Sequence, residues 1–318
     1  MIEATILRRT RNIINPYLRV LRFESWKGWL FIFAVGGVLF AIPPIFPFVW
    51  LSISFASSTA AIFVLNQYFD RESDKCDDSK RDLPIASGEI SGRTAIVIYI
   101  FLTTLSLFTV SVIDISSMPF FLAYVAVGIC YSTPPLCLKR RPIVDVIIVG
   151  FASGVLPWIM GLQVSHQLTT FPWVRRGYQD AFFTAIPFFL FQCAGHMFHT
   201  AGDYNADSTG NICTFSVKYG KSTSTKLGIT LLSSSAILPI IYGLLNLSST
   251  ASFLCWYLCF LVPCMPVIIF CINLLIDPSK DGIKTLSVVS RKIGAISLFL
   301  IWALIFLMRI LLSALPCP

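Results

Sequence analysis

Nine runs of mostly apolar residues, each about the length needed to cross a bilayer, shape everything this chain can fold into. A helix needs about 20 such residues to traverse the hydrocarbon core. The runs lie at roughly 26–42, 46–68, 94–113, 117–132, 143–163, 181–200, 227–245, 252–276 and 294–313. They are continuous rather than alternating, which sets aside a transmembrane barrel. Of the 318 residues, 13% are charged and 56% are hydrophobic. A soluble domain carries about twice that share of charge. A soluble globular enzyme, a disordered chain and a fibrous repeat are therefore excluded. The expectation is one all-α integral membrane domain over residues 1–318, with nine transmembrane helices and a basic arm at 1–25.

The basic residues set the orientation. All but Arg175, Arg176 and Arg309 of the 24 Lys and Arg residues fall in the N-terminal arm or in the loops after the second, fourth, sixth and eighth runs. The intervening loops near Pro43, Ile115 and Asn246 are short and nearly uncharged. Cytoplasmic loops collect Lys and Arg, so the N-terminus is expected in the cytoplasm and the C-terminus outside. The net charge of +8 is then a matter of topology and needs no nucleic-acid partner. The ten cysteines form no CxxC pair and read as small apolar fillers.

The 16 acidic residues carry the functional signal. Asn66, Asp70 and Asp74 close the second run at spacing i, i+4, i+8. On a helix these fall on one stripe rising about 12 Å. His199, Asp203 and Asp207 repeat the spacing at the end of the sixth run. Like charges stacked at a membrane boundary repel unless a cation lies between them. Hard oxygen ligands suit Mg²⁺, which usually shares a phosphate with its carboxylates. Two facing clusters could hold two Mg²⁺ ions bridged by a diphosphate.

Lys80 and Arg81 follow the first cluster, Lys139 follows the fourth run, and Lys218 follows the second cluster. They could grip a diphosphate and stabilise it as a leaving group, although the positive-inside rule alone would also place them there. His199 occupies in its cluster the place of Asn66, whereas His196 reads as a packing residue rather than a catalyst. No second grouping of His and Cys suggests zinc.

These motifs resemble the UbiA superfamily of intramembrane prenyltransferases. Asn66-x3-Asp70-x3-Asp74 is similar to its first aspartate-rich motif and Asp203-x3-Asp207 to its second. The stretch from Lys80 to Ser91 and the loop Tyr131-Ser-Thr-Pro-Pro-Leu-Cys-Leu-Lys139 are similar to two further family segments. The resemblance implies a UbiA-like helical bundle with a central cavity open to the cytoplasmic side. It implies Asn66, Asp70 and Asp74 on one Mg²⁺, Asp203 and Asp207 on the second, and Lys80, Arg81, Lys139 and Arg22 on the diphosphate. Tyr131 would lie near the reacting carbon, with Asp70 orienting the final proton loss. Tyr131 and Lys139 stand further apart than in the branches that use aromatic acceptors, which argues against an aromatic acid here. The segment from His196 to Thr214, and Tyr131-Ser-Thr-Pro-Pro followed by Lys139 to Asp145, are similar to the carotenoid (lycopene) elongase branch.

The implied activity is Mg²⁺-dependent transfer of a prenyl group from an allylic prenyl diphosphate to a lipophilic acceptor, such as a carotenoid, quinone or lipid precursor. The implied setting is the cell membrane, among its lipids, with the site facing the cytoplasm. A UbiA-type terpene cyclase would use the same metal site. A cation-coupled transporter would more often bury its acids at the midplane and break its helices there. A CDP-alcohol phosphotransferase would need a D-G-x2-A-R stretch, which is absent. A scaffold would need neither acidic stripe.

Overall fold

The computed structural model describes residues 15–38, 43–77, 80–164, 178–209 and 212–246. Every regular element among them is helical. In order they are α1 (Pro16–Arg19), α2 (Phe23–Val38), α3 (Ile45–Cys76), α4 (Gly92–Ile113), α5 (Met118–Ser132), α6 (Pro142–Gly150), α7 (Leu156–Val164), α8 (Tyr178–Gly202), α9 (Tyr204–Thr209), α10 (Phe215–Tyr219) and α11 (Lys221–Asn246). A π-helical turn, Phe151–Val155, joins α6 to α7 into one run.

Among the described residues, five helical stretches are long and apolar enough to cross a membrane: Ile45–Cys76, Gly92–Ile113, Ile115–Ser132, Pro142–Val164 and Lys221–Ile241. The chain is thus a multi-pass membrane protein. The expected spans at 252–276 and 294–313, and with them the full count and the side of the C-terminus, lie outside the described residues.

Helix α3 shows how the sequence lifts polar chemistry out of the bilayer. Its 32 residues make a rod of about 48 Å, against about 30 Å of hydrocarbon. The polar end from Asn66 to Asp74 therefore reaches the boundary while the apolar start stays inside. Small hydroxyls hold its neighbours close: Thr59 Oγ1 and the Tyr124 hydroxyl of α5 are 2.9 Å apart. Ser106 of α4 donates to the Ser54 carbonyl at 2.8 Å. Interhelical hydrogen bonds and small residues replace the hydrophobic driving force that lipid removes. On α4, Val97, Phe101, Phe108 and Val112 stay exposed, a stripe suited to lipid.

The tightest seam joins α2 to α7. A Cβ on Gly161 would stand 2.1 Å from the Phe33 carbonyl oxygen, and one on Gly36 would stand 2.6 Å from the Trp158 carbonyl oxygen. Backbones can approach this closely only where both helices lack a side chain. Beside the seam, Ile32, Val35, Trp158, Leu162 and Phe188 pack into one buried cluster. Phe33, Leu51, Phe55, Phe121, Tyr124 and Met160 pack into a second.

The N-terminal stretch is tied down where it meets the bundle. Val20 is buried against Val64, Ile85 and Ile90, and Gln67 Nε2 donates to the Val20 carbonyl at 2.7 Å. Arg19 pairs with Glu89 at 2.8 Å.

Gly161→Val should separate α2 from α7 and destabilise the fold by about 3 kcal/mol. Thermal unfolding of the detergent-solubilised protein measures this. Gly195→Ala, whose Cβ would meet nothing within 4 Å, should melt with the unaltered chain.

Candidate active site

The ends of α3 and α8 open onto one cavity of about 350 Å³. Asn66, Asp70 and Asp74 line it from α3, and His199, Asp203 and Asp207 line it from the end of α8 and from α9. The two acidic clusters, more than a hundred residues apart in the chain, therefore share one space. Arg22, Lys80, Tyr131 and Lys139 line the same cavity. Arg81 and Lys218 lie outside its lining, and the Lys218 ammonium instead stands 5.2 Å from the Tyr219 ring centroid.

Each cluster has its own support. Asn66 Nδ2 donates to Asp70 Oδ2 at 3.0 Å and to Ser132 Oγ at 3.2 Å. In the second cluster the helix breaks at Asp203 and resumes as α9. The i to i−4 bonding persists through the break, with Asp203 N on the His199 carbonyl at 3.0 Å and Asp207 N on the Asp203 carbonyl at 2.9 Å. The stripe expected of a continuous helix thus survives a kink. Thr214 Oγ1 donates to Asp207 Oδ2 at 3.2 Å, and His199 Nε2 stands 3.7 Å from Asp203 Oδ2.

Two lysines reach into the acids from loops. Lys80 Nζ lies 3.2 Å from Asp77 Oδ2 and 3.3 Å from Asp203 Oδ2, so a residue that follows the first cluster pairs with the second. Lys139 pairs with Asp70. It rides on a 3₁₀ turn, Leu138–Arg140, that starts from Cys137 with φ at +40°. Arg22 also has positive φ, +50°, and its guanidinium carbon stands 5.6 Å from the Phe63 ring centroid. Left-handed backbone at a non-glycine residue costs about 1–2 kcal/mol and concentrates at functional sites.

Burial pushes Asp207 up to about 6 from its ordinary 3.8; Asp203 and Asp145 add to the rise while Lys80 and Thr214 oppose it. Burial pulls the Lys80 ammonium downward, but Asp203, Asp77 and Asp74 outweigh it and the net shift is upward.

Deeper in, Trp29, Ile62, Phe63, Val149, Phe198 and Leu232 give the cavity an apolar wall. Tyr131 meets two further polar residues there, Asp145 and His196. Tyr131 donates its hydroxyl to Asp145 Oδ1 at 2.9 Å, and His196 Nε2 stands 2.6 Å from Asp145 Oδ2. Sequence reasoning set His196 aside and gave Asp145 no role. The available signal was Asp145 itself, an acid three residues into an apolar run, since ionisable groups within membrane spans are seldom idle.

The donor set can be tested against a cation. Every acidic ligand offers carboxylate oxygen, the hard donor Mg²⁺ prefers. Among the described residues no three His, Cys, Asp or Glu side chains converge into a ready-made cage. Mg²⁺ seldom uses such cages and is held by one or two carboxylates plus substrate phosphate. The residues present fit an ion that arrives with a phosphate.

The fold and the cavity define a class: a multi-pass helical membrane protein with a polar, acid- and lysine-lined mouth above an apolar chamber. The UbiA prenyltransferase family matches residues 30–275, and the chain belongs to that family. The protoheme IX farnesyltransferase of Ehrlichia chaffeensis is 29% identical over 40% of this chain and 43% of its own length. That of Ehrlichia canis is 27% identical over 52% of this chain and 56% of its own. The chain thus spans about half the length of the curated relatives it matches. Among solved structures, a UbiA homologue from Archaeoglobus fulgidus bound to GPP and Mg²⁺ superposes with a TM-score of 0.69 at 25% identity, covering 91% of this chain and 100% of that one.

An acid whose folded value lies above its unfolded one favours the protonated folded state. Stability therefore falls as pH rises from about 4 through about 6, and the cost persists above that window. Without added divalent cation, Asp207→Asn should raise stability at pH 7.5 by about 2 kcal/mol. The gain should fade as pH falls toward 4, which melting curves across that range would record.

Proposed function

We propose that the chain transfers a prenyl group from an allylic prenyl diphosphate to a lipophilic acceptor and releases diphosphate, with Mg²⁺ required. The observation that carries this reading is the shared cavity, in which two acidic clusters and five Lys or Arg residues meet an apolar wall. A diphosphate with a greasy tail matches both halves at once. The GPP and Mg²⁺ bound by the Archaeoglobus fulgidus homologue support it.

Charge balance supports two ions. Six carboxylates and five Lys or Arg residues line the cavity, a formal excess of one negative charge. An incoming diphosphate ester adds roughly three more. Two divalent cations cancel the total; one leaves a twofold deficit. Asn66, Asp70 and Asp74 would hold one ion and Asp203 and Asp207 the other, and the bound Mg²⁺ would supply Lewis-acid stabilisation of the departing diphosphate.

The chain's own groups do the rest. Lys80 and Lys139 would exchange their carboxylate partners for phosphate oxygens, with Arg22 and His199 contributing from the rim. These donors stabilise the charge that gathers on the diphosphate as the C–O bond breaks. Trp29, Phe63 and Phe198 exclude water and offer ring faces to the allyl cation. Tyr131 would stand beside the reacting carbon. The site would face the cytoplasm of the cell membrane, where soluble diphosphates and Mg²⁺ are available, while acceptor and tail stay among lipids.

The test uses purified full chain in lipid nanodiscs with Mg²⁺ and geranyl or farnesyl diphosphate as donors. Protoheme IX, suggested by the relatives' name, and a total membrane-lipid extract serve as acceptors. Diphosphate release and prenylated products are followed together by phosphate assay and mass spectrometry. Asp70→Ala and Asp203→Ala should each slow release at least about 100-fold, and chelating Mg²⁺ should stop it. Full release from either variant would overturn the assignment.

A further inference from the structure

The reading above uses the mouth of the cavity and Tyr131, and leaves Asp145 and His196 unassigned. Asp145 is 1% exposed and belongs to neither acidic cluster. Its carboxylate is satisfied on both oxygens, by the Tyr131 hydroxyl at 2.9 Å and by His196 Nε2 at 2.6 Å. All three residues line the cavity. Burying an acid and an imidazole in an apolar chamber is costly unless they are paired, and packing alone asks for neither.

The hydrogen bond to Asp145 fixes the role of one ring nitrogen. A carboxylate only accepts, so Nε2 carries a hydrogen, and in the neutral imidazole Nδ1 keeps the lone pair. Among the described residues Nδ1 has no hydrogen-bond partner, and it is not sealed away from the cavity. An imidazole oriented through one nitrogen by a buried carboxylate, with the other nitrogen free, is the arrangement of a positioned general base.

Resting on the proposed prenyl transfer, we infer that His196 is the base that removes the proton after the new carbon–carbon bond forms, and that Asp145 is its positioning residue. The atoms balance. The allylic C–O bond breaks and its electron pair leaves with diphosphate. A π pair of the acceptor forms the C–C bond to the allyl cation. The acceptor's C–H proton passes to His196 Nδ1, and the C–H pair restores the π bond. Asp145 stabilises the imidazolium that results. Tyr131 fills the second carboxylate oxygen and keeps Asp145 from turning away.

The rival base is the departed diphosphate, which needs no histidine. The two are separated by what becomes of the cation. Without a positioned base, water captures the cation left on the acceptor as a hydroxylated adduct, so the readout is the ratio of prenylated acceptor that has lost a proton to prenylated acceptor that has gained water, two products that differ in mass by one water molecule. The assay is the nanodisc reaction with geranyl or farnesyl diphosphate, protoheme IX and lipid extract, run on the unaltered chain, His196→Gln, His196→Ala and Asp145→Asn. Glutamine retains a donor for Asp145 and guards against misfolding.

In His196→Gln the ratio should fall at least 100-fold while diphosphate release falls no more than tenfold. Added imidazole should restore the ratio in His196→Ala, whereas Asp145→Asn should lower it without imidazole rescue. Near-normal ratios in both histidine variants would overturn the inference in favour of diphosphate. So would release and products falling together without rescue in folded protein, or the hydroxylated adduct as the sole prenylated product of the unaltered chain. Failure of the unaltered chain to release diphosphate at all would instead overturn the transferase reading on which this one rests.

Discussion

Carboxylates at a membrane boundary must be neutralised, and that constraint organises the molecule. Asp70 and Asp203 approach one cavity from helices that sit far apart in the chain, and each meets a lysine from a loop. Those loops, not the spans, bring the compensating charge. The arrangement suits a ligand that arrives with its own cations, because its phosphates can take over the lysines while the cations take over the acids. Neither half of that exchange is favourable alone in a medium of low dielectric.

The packing below serves the same end. Helix α3 outruns the hydrocarbon, so polar chemistry and lipid contact coexist on one rod. The glycine seam between α2 and α7 brings Trp29 and Phe33 on α2 into the bundle beside α3. Hydroxyl contacts such as Thr59 with Tyr124 fix α3 against α5 without adding charge. The result is a largely apolar chamber beneath a polar mouth.

Much of this was legible in the sequence for identifiable reasons. Spacing of four on a helix is local information, so the stripes Asn66–Asp70–Asp74 and His199–Asp203–Asp207 could be read directly. The break at Asp203 could not, because the backbone bonds that carry the stripe through it reflect tertiary support as well as propensity. The pairing of Lys80 with Asp203 and of His196 with Asp145 joins residues 123 and 51 positions apart. Such meetings are decided by helix packing, on which single-residue patterns are silent. His196 read as a hydrogen-bonded packing residue, and the sequence did not name Asp145 as its partner. The expected spans at 252–276 and 294–313 fall outside the described residues.

The left-handed turn at Arg22 has an evolutionary corollary. Glycine would adopt that backbone more cheaply, yet it would take away the guanidinium beside Phe63. Selection for thermal endurance alone would thus drift toward glycine at this corner, and, on the proposed role of Arg22 at the diphosphate, selection for turnover would pull it back. Residue 22 is where robustness and chemistry make opposite demands on a single codon.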